Sequence, residues 1–484
     1  MIKLKVSKSI AVLGLILIFG LALRLFFFSG VGTSDPLAYA VYAYHLSIND
    51  YLSTMHQVNA RIGVLIPVAL LYRLFGTNDY TSTFFTLATS LGSIVLIFCF
   101  GRLLFNDKVG LLAAFLLSIF PLDVINSTKL LSDSPSAFFA GLSIFLFLKG
   151  EKINDSKTYI YHILSGLSMG IAFSIREMAA LLVLFFIIYV IYSRKFKPSY
   201  SIIALSFIAV MALEMIFFHF FAGDALFRYH SVTGYLQDAL QSHQYYGRLK
   251  FLNYFAAWPF VIFGNIQLGY FYAFILLATV YWLLHRSRNT NYMLIWLLSF
   301  LFYITFGTAS LSRYAPFVAV SRYLAYVYIP GILILSMFLN ENIRVIRKII
   351  LPFTIIFLLF VSVGAIYIDD SRQLLANLKD TYNFIKLFDK PVYTDSRSIW
   401  ALNYISGFNN NLNFIDLGDD PQNIKNIKNA YVIINNEMIH NLIDVGYDLN
   451  FIGEIREIPL NWKLIKEIGT DKNKIIKIYS VGSK

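Results

Sequence analysis

The chain of 484 residues carries little charge: Asp, Glu, Lys and Arg make up 14% of it, against 57% hydrophobic residues. Too few ionisable groups are present to cover a water-soluble globule of this length. That excludes a soluble enzyme and leaves a polytopic membrane protein. A mean hydropathy of +0.63 agrees. Cysteine is nearly missing: Cys99 stands alone inside an apolar run. An internal disulfide framework is therefore excluded, and the residue reads as small apolar packing. Histidines are few and lack metal-ligand spacing, so His45, His230 and His243 read as non-ligands. The pattern requires no metal and no cofactor. The net charge of +12 does not signal nucleic acid, because the basic residues are scattered over short loops between apolar runs, as in a membrane protein oriented by its cytoplasmic charges.

What fills the chain is apolar runs. A span needs roughly 17–25 residues, and eleven candidates lie at about 9–29, 82–104, 109–127, 135–149, 159–175, 177–192, 201–222, 265–284, 291–309, 322–340 and 349–368. No small-residue cleavage site follows the first, which reads as a retained span. Boundaries weaken around Pro121, Pro135 and the Arg176–Glu177 break. With Lys3, Lys5 and Lys8 in the cytoplasm, the other inside loops hold Arg102 and Lys108, then Lys149, Lys152 and Lys157, then Arg194, Lys195 and Lys197, then Arg286 and Arg288, then Arg344, Arg347 and Lys348. The positive-inside rule is met by this one topology, N-terminus cytoplasmic and C-terminus extracytoplasmic, in the cell membrane. The outer face owns two long segments, about 30–81 and 223–264, in which aromatics mix with polar residues at helical spacing, as in "DPLAYAVYAYHLSI". Such stretches suit amphipathic helices lying in the interface, with loose polar loops as the alternative.

After Ile368 the composition turns charged and Asn-rich. Residues 369–484 read as a small extracytoplasmic α/β domain, with helices at "LLANLKDTYNFIKLF" and "SIWALNYIS", strands at "KPVYT", "NFIDL" and "AYVIIN", further elements at "QNIKNIKN" and "MIHNLIDVG", and a closing hairpin of "WKLIKEI" with "KIIKIYSV". The alternation suggests a doubly wound layer. No Gly-rich phosphate loop occurs in it, and Gly418–Asp420 reads as a turn.

Ionisable groups at membrane depth are costly and mark function. The topology gathers Asp35, Asp133, Arg176, Glu177, Arg313 and Arg322 at the outer boundary, from distant parts of the chain, while Glu214 lies deeper and reads as a satisfied buried acid. Two carboxylates and several guanidiniums at one face suit a lipid phosphate or pyrophosphate headgroup. Arg binds phosphate bidentately and keeps its charge when desolvated, and a carboxylate takes the proton of an attacking hydroxyl. Tyr39, Tyr42 and His45 behind Asp35, and His230 on the second outer segment, are candidates to contact a sugar. Each charged residue has a plainer alternative. Asp35 before Pro36, and Asp133 before Ser134–Pro135, can be helix caps; Arg176 and Glu177 can be a local ion pair closing a turn; Arg322 can be an interfacial anchor.

Four stretches in order, "TSDPLAYAVYA", "LSDSPSAFFAGLSIFL", "GLSMGIAFSIREMAAL" and "SRYLAYVYIPGILIL", resemble the GT-C membrane glycosyltransferases, specifically the protein-mannosyltransferase and aminoarabinose-transferase-like group. The resemblance covers about 1–368 and implies a GT-C-like catalytic membrane domain of about eleven helices followed by a soluble domain. It implies a polyprenyl- or dolichyl-phosphate-linked sugar as donor, transfer on the extracytoplasmic face, and a glycan, glycolipid or protein acceptor. It gives Asp35 the role of catalytic base or acceptor-binding group, places Asp133 beside it, and makes Arg176 and Arg322, here joined by Tyr323, candidates for the lipid phosphate. Glu177, Tyr39, Tyr42, His230 and Arg313 are candidates for substrate contacts. The pattern departs from the family where Pro36 replaces the second acid of the first loop carried by many relatives, which weakens the case for a bound divalent metal there and for the family's acceptor-binding geometry. A flippase for lipid-linked glycans, a surface-polysaccharide polymerase or ligase, and a non-catalytic subunit are the competing readings. A flippase calls for charge distributed through both leaflets, whereas here it gathers at one.

Overall fold

A computed structural model of the chain describes residues 8–54, 56–153, 155, 157–194, 196–241, 251–285, 287–309, 314–341, 343, 345–369, 375–409, 412–417, 427–436, 458–459, 462–469 and 475–482. The described chain is mostly helical. In order come α1 (Lys8–Phe26), α2 (Asp35–Ser47), α3 (Ile62–Phe75), α4 (Asp79–Leu104), α5 (Asp107–Ser118), α6 (Pro121–Ser127), α7 (Asp133–Ile153) and α8 (Lys157–Ile175). A 3-10 turn (Glu177–Leu182) leads into α9 (Val183–Ser193), followed by α10 (Tyr200–Ala222), α11 (Phe227–Gln241), α12 (Phe251–Gly264), α13 (Phe271–Leu284) and α14 (Arg288–Phe306). A second 3-10 turn (Ser321–Val327) opens α15 (Tyr328–Leu339), and α16 (Leu351–Ile368) ends the apolar part.

Side chains at the helix starts explain several boundaries. Asn78 accepts from the Tyr80 and Thr81 amides while Thr81 returns a bond to the Asn78 amide, a reciprocal box that opens α4. Ser287 and Thr290 do the same for α14, and Asn106 caps α5. Gly223, in the left-handed region, ends α10.

Each of the eleven expected apolar runs is helical, but they are not eleven uniform spans. Among the described residues, seven helices are long and apolar enough to cross a bilayer, or eight if α5 and α6 count as one span bent by 58°. The bend falls at Pro121, whose missing amide hydrogen and fixed φ suit the first turn of a new helix. The outer segments also hold more than interfacial helices: α3, in 30–81, is a shorter apolar helix.

Lipid tails are as apolar as leucine, so close packing and polar pairs hold such helices together rather than water exclusion. At the crossing of α4 and α5, Gly101 faces Gly110 so closely that a Cβ on Gly101 would stand 2.3 Å from the Gly110 Cα. Nearby, the guanidinium of Arg24 on α1 is sealed. It donates to Asp123 on α6 at 2.6 Å, to Ser90 on α4 at 2.8 Å and to the Ser118 carbonyl at 3.1 Å, with neither charged side chain exposed. This pair fixes the bent helix against its neighbours.

The C-terminal part forms a small sheet domain with α17 (Ala376–Ile385), β1 (Val392–Thr394), α18 (Ser396–Ile405), β2 (Phe414–Asp416), β3 (Ala430–Asn435), β4 (Trp462–Ile468) and β5 (Ile476–Val481). Strand order is β2-β1-β3-β5-β4; β1 pairs parallel with β2 and β3, and β5 pairs antiparallel with β3 and β4. The expected strands and hairpin are present, and the sheet is mixed. "QNIKNIKN" falls mostly, and "MIHNLIDVG" and Gly418–Asp420 wholly, outside the described residues. At the last strand in this order, β4, Lys463, Leu464, Ile465, Lys466 and Glu467 are all exposed between the buried Trp462 and Ile468, and the register slips between Leu464 and Lys466. One hydrophobic cluster runs from α2 and α3 (Leu37, Tyr39, Leu65) into the sheet domain (Leu402, Ile433, Ile478), so the domain is packed onto the helices that carry the first loop.

Asp123→Ala leaves a buried guanidinium unpaired, and the expected loss of stability is about 3–5 kcal/mol. Arg24→Met with Asp123→Leu is expected to recover most of it; thermal unfolding in detergent reads both.

Candidate functional site

The loop before α2 is held at both sides. The Ser29 and Gly30 amides donate to the Thr128 hydroxyl and carbonyl at 3.1 Å, and the Val31 amide donates to Asp79 Oδ1 at 3.1 Å. Ser34 stands at the cap position with φ 65° and makes no side-chain cap bond, and Pro36 lies in the first turn. The Asp35 carboxylate reaches across the molecule instead: its Oδ2 accepts from Arg322 Nη1 at 3.0 Å. Capping alone does not describe Asp35, and lipid-facing anchoring does not describe Arg322.

Asp133 opens α7 and is likewise paired at long range. Arg176 Nη1 donates to Asp133 Oδ2 at 2.7 Å and to Ser132 Oγ at 3.0 Å. Arg176 sits in extended backbone between α8 and the 3-10 turn, and its guanidinium lies over the Tyr323 ring, 5.4 Å from the centroid. The expected alternative of a local Arg176–Glu177 pair is corrected here. Neighbours in sequence diverge where the helix breaks, and Glu177 pairs instead with Arg61 of the loop before α3 at 3.1 Å and with Arg228 of α11 at 2.9 Å. Arg228 also holds Glu214 of α10, the satisfied buried acid expected from the sequence.

Asp35, Asp133, Arg176, Glu177, Arg322 and Tyr323 are thus brought together, and Arg61 and Arg228 join them unannounced by the sequence reading. Exposure grades across the cluster. The Asp35 and Arg322 side chains are 23% and 30% exposed, and those of Asp133 and Arg176 are 1% and 5% exposed. Arg176 Nε, Arg322 Nε and Asp133 Oδ1 are buried with no hydrogen-bond partner among the described residues. Two guanidiniums with spare donors at one place can receive an anion.

Tyr39 and Tyr42 are buried; the Tyr39 hydroxyl accepts from Arg61 at 2.8 Å and that of Tyr42 from Thr54 at 3.0 Å. His230 pairs locally with Asp224 at 2.6 Å, and Arg313 lies outside the described residues. The His56 ring lies 6.3 Å from that of Tyr42 and 6.0 Å from that of Tyr235 on α11. Among the described residues, no three His, Cys, Asp or Glu side chains gather to share a metal ion.

Burial pushes the Asp35 carboxyl up, but Arg322, then Arg61 and Arg176, outweigh it and hold the group below the ordinary aspartate value. Burial lowers His56, against the pull of Asp35, so it is neutral at pH 7. Burial raises the Tyr235 hydroxyl, with Asp35 adding to it.

A groove of about 890 Å³ runs between α9 and α14, lined by Leu184, Ile188, Leu294, Leu298, Phe302 and Phe306 among others. On α14, Phe300 stacks on Tyr326, whose hydroxyl donates to Ser136 one turn beyond Asp133.

A carboxyl whose folded pKa is depressed contributes stability that is present above its unfolded pKa and lost as pH falls through the folded one. The Asp35–Arg322 pair is accordingly expected to survive down to pH values below the usual aspartate range. In Arg322→Met the burial remains and the leading opposing charge is gone, so the Asp35 titration moves to higher pH. The pH dependence of thermal stability in detergent measures the displacement.

Residues 64–218 match the family model described as dolichyl-phosphate-mannose-protein mannosyltransferase. No curated protein matches the chain by sequence. By structure the chain is similar to ArnT from Cupriavidus metallidurans bound to undecaprenyl phosphate, with 12% identity, a TM-score of 0.59 and 98% of each chain covered. It is also similar to the oligosaccharyltransferase of Archaeoglobus fulgidus in its apo form, with 11% identity, a TM-score of 0.58, and 91% of this chain and 71% of that one covered. The same holds for AglB of that organism in complex with an inhibitory peptide and a dolichol-phosphate, with 13% identity, a TM-score of 0.53, and 90% and 70% covered. The chain therefore shares its fold with these proteins, in agreement with the GT-C-like fold that the four sequence motifs led one to expect.

Proposed function

We propose that the chain is a membrane glycosyltransferase that moves a sugar from a polyprenyl- or dolichyl-phosphate donor to an acceptor hydroxyl on the extracytoplasmic face of the cell membrane. In this reading the N-terminus is cytoplasmic, the sheet domain lies outside, and the acceptor is a glycan, a glycolipid or a protein. The observation that carries the reading is the paired arrangement of Asp35 with Arg322 and Asp133 with Arg176, in which both guanidiniums keep an Nε donor unused among the described residues. Fold relatives bound to undecaprenyl phosphate and to a dolichol-phosphate support the donor class.

The chemistry is a single displacement. The acceptor oxygen attacks the anomeric carbon, the bond from that carbon to the phosphate oxygen breaks, and the lipid phosphate leaves with the electron pair. The acceptor proton passes to Asp35. A carboxylate held below its ordinary pKa is a weak base, so it takes the proton late, when the forming bond has already made the hydroxyl acidic. Arg322 touches the base and offers its free Nε toward the leaving phosphate. Arg176, seated between Asp133 and Tyr323, adds the second cation. The charges that develop are met by groups already in place, with no water to reorganise. Asp133, almost fully buried, orients Arg176. The apolar groove between α9 and α14 suits the donor's isoprenoid tail.

Asp35→Asn keeps the shape of the site and removes the base, so kcat is expected to fall about 10²–10⁴-fold with donor binding retained. The assay uses vesicles of known orientation with a polyprenyl-phosphate sugar and candidate acceptors on the side of the sheet domain. Mass spectrometry of surface glycans from cells with and without the gene identifies the missing sugar. A full set of glycans in the deletion strain, or product made from the opposite side, overturns the reading. Leu298→Trp narrows the groove and is expected to raise the donor KM several-fold with the acceptor KM unchanged.

A further inference from the structure

The loop carrying Asp35 is not held by the membrane helices alone. Asp79, the first residue of α4, sits where three parts of the molecule meet. Its Oδ1 accepts from the Val31 amide at 3.1 Å and from the Tyr404 hydroxyl of α18 at 3.0 Å, and its Oδ2 pairs with Lys379 of α17 at 2.8 Å. Gly30, at φ +78°, lies so close that a Cβ there would stand 2.8 Å from the Asp79 Cγ. The Tyr404 hydroxyl also bonds Ser82 at 2.9 Å, and Ser82 bonds Tyr72 of α3 at 2.6 Å. Around this junction Tyr44 of α2 stacks flat on Phe408 at 3.8 Å, and Tyr42 meets Trp400 edge-on.

We propose that Asp79 is a positioning residue through which the docked sheet domain holds the Gly30–Ser34 loop, and with it Asp35, in working geometry; this rests on the glycosyltransferase reading above. Three facts carry it. Asp79 is 20% exposed at the side chain, yet one of its oxygens is shared between a loop amide and a domain tyrosine. The loop is glycine-rich and includes Ser34 in the left-handed region, so external bonds decide its shape. The loop's other anchor, Thr128, belongs to the membrane part, so the bonds to Asp79 are where the domain acts on it. Catalytic groups displaced by about 1 Å lose on the order of 10²-fold in rate. A soluble domain that clamps this loop therefore sets the rate without touching substrate.

The test uses the full chain in nanodiscs, with Cys99→Ala and a nitroxide on Ser34→Cys, an exposed position. Asp79→Ala is expected to sharpen the label's spectrum, showing a looser loop, and to lower kcat about 10–100-fold with the donor KM within about twofold. Asp79→Asn keeps an oxygen for the Val31 amide and Tyr404 hydroxyl and is expected to recover most of the rate. Tyr404→Phe combined with Lys379→Met cuts the tether from the domain side and is expected to loosen the same label, which covers the case in which Asp79→Ala folds poorly. A label equally immobile in the alanine and double variants overturns the proposal, as does a fall in kcat without a change in the label. If the parent protein transfers no sugar, the functional reading fails, and the label still decides whether the domain holds the loop.

Discussion

Pairing of acids with guanidiniums across different helices is the constraint on which the charged end of this molecule depends. Asp35, Asp133, Glu177 and Glu214 are matched by Arg322, Arg176, Arg61 and Arg228, and nearly every pair joins elements far apart in the chain. Taking such ions out of water costs several kcal/mol each unless a partner of opposite sign is at hand. The helices therefore cannot slide past one another without stranding a charge. The ion pairs give the register that apolar side chains, all alike against lipid, cannot give.

Neutrality by pairs also shapes what the site can receive. An anion entering a balanced cluster would be the uncompensated charge, and the Nε donors of Arg176 and Arg322 have no partner among the described residues. Those donors lie on the inner and outer pairs of a graded site, one sealed and one open to water.

Much of this was legible in the amino acids. The apolar runs located the seven or eight helices that, among the described residues, are long and apolar enough to cross a bilayer, because length and lack of charge leave few other stable arrangements there; the shorter apolar α3 was not among them. Strand periodicity located the sheet. Asp35, Asp133, Arg176 and Arg322 were recognisable because each interrupts or borders an apolar run, where charge is expensive. Arg61 and Arg228 were not, because "HQVNARIGVL" and "DALFRYHSV" place them in polar surroundings where arginine costs nothing locally. Nor was the pairing legible: Arg176 and Glu177 look like partners on paper, and only the turn between α8 and α9 sends them apart. Asp79 reads as an ordinary first-turn acid of α4, and its contacts with Val31, Lys379 and Tyr404 exist only once the chain has folded back on itself.

Strand β4, at one end of the sheet among the described residues, has a bearing on life in a crowded two-dimensional layer. Molecules confined to a bilayer meet repeatedly with their domains at the same height, the geometry in which exposed backbone most readily zips into a shared ribbon. The kink in β4 and the lysines along it spoil that rail. Neighbouring copies can then collide often without fusing their sheets.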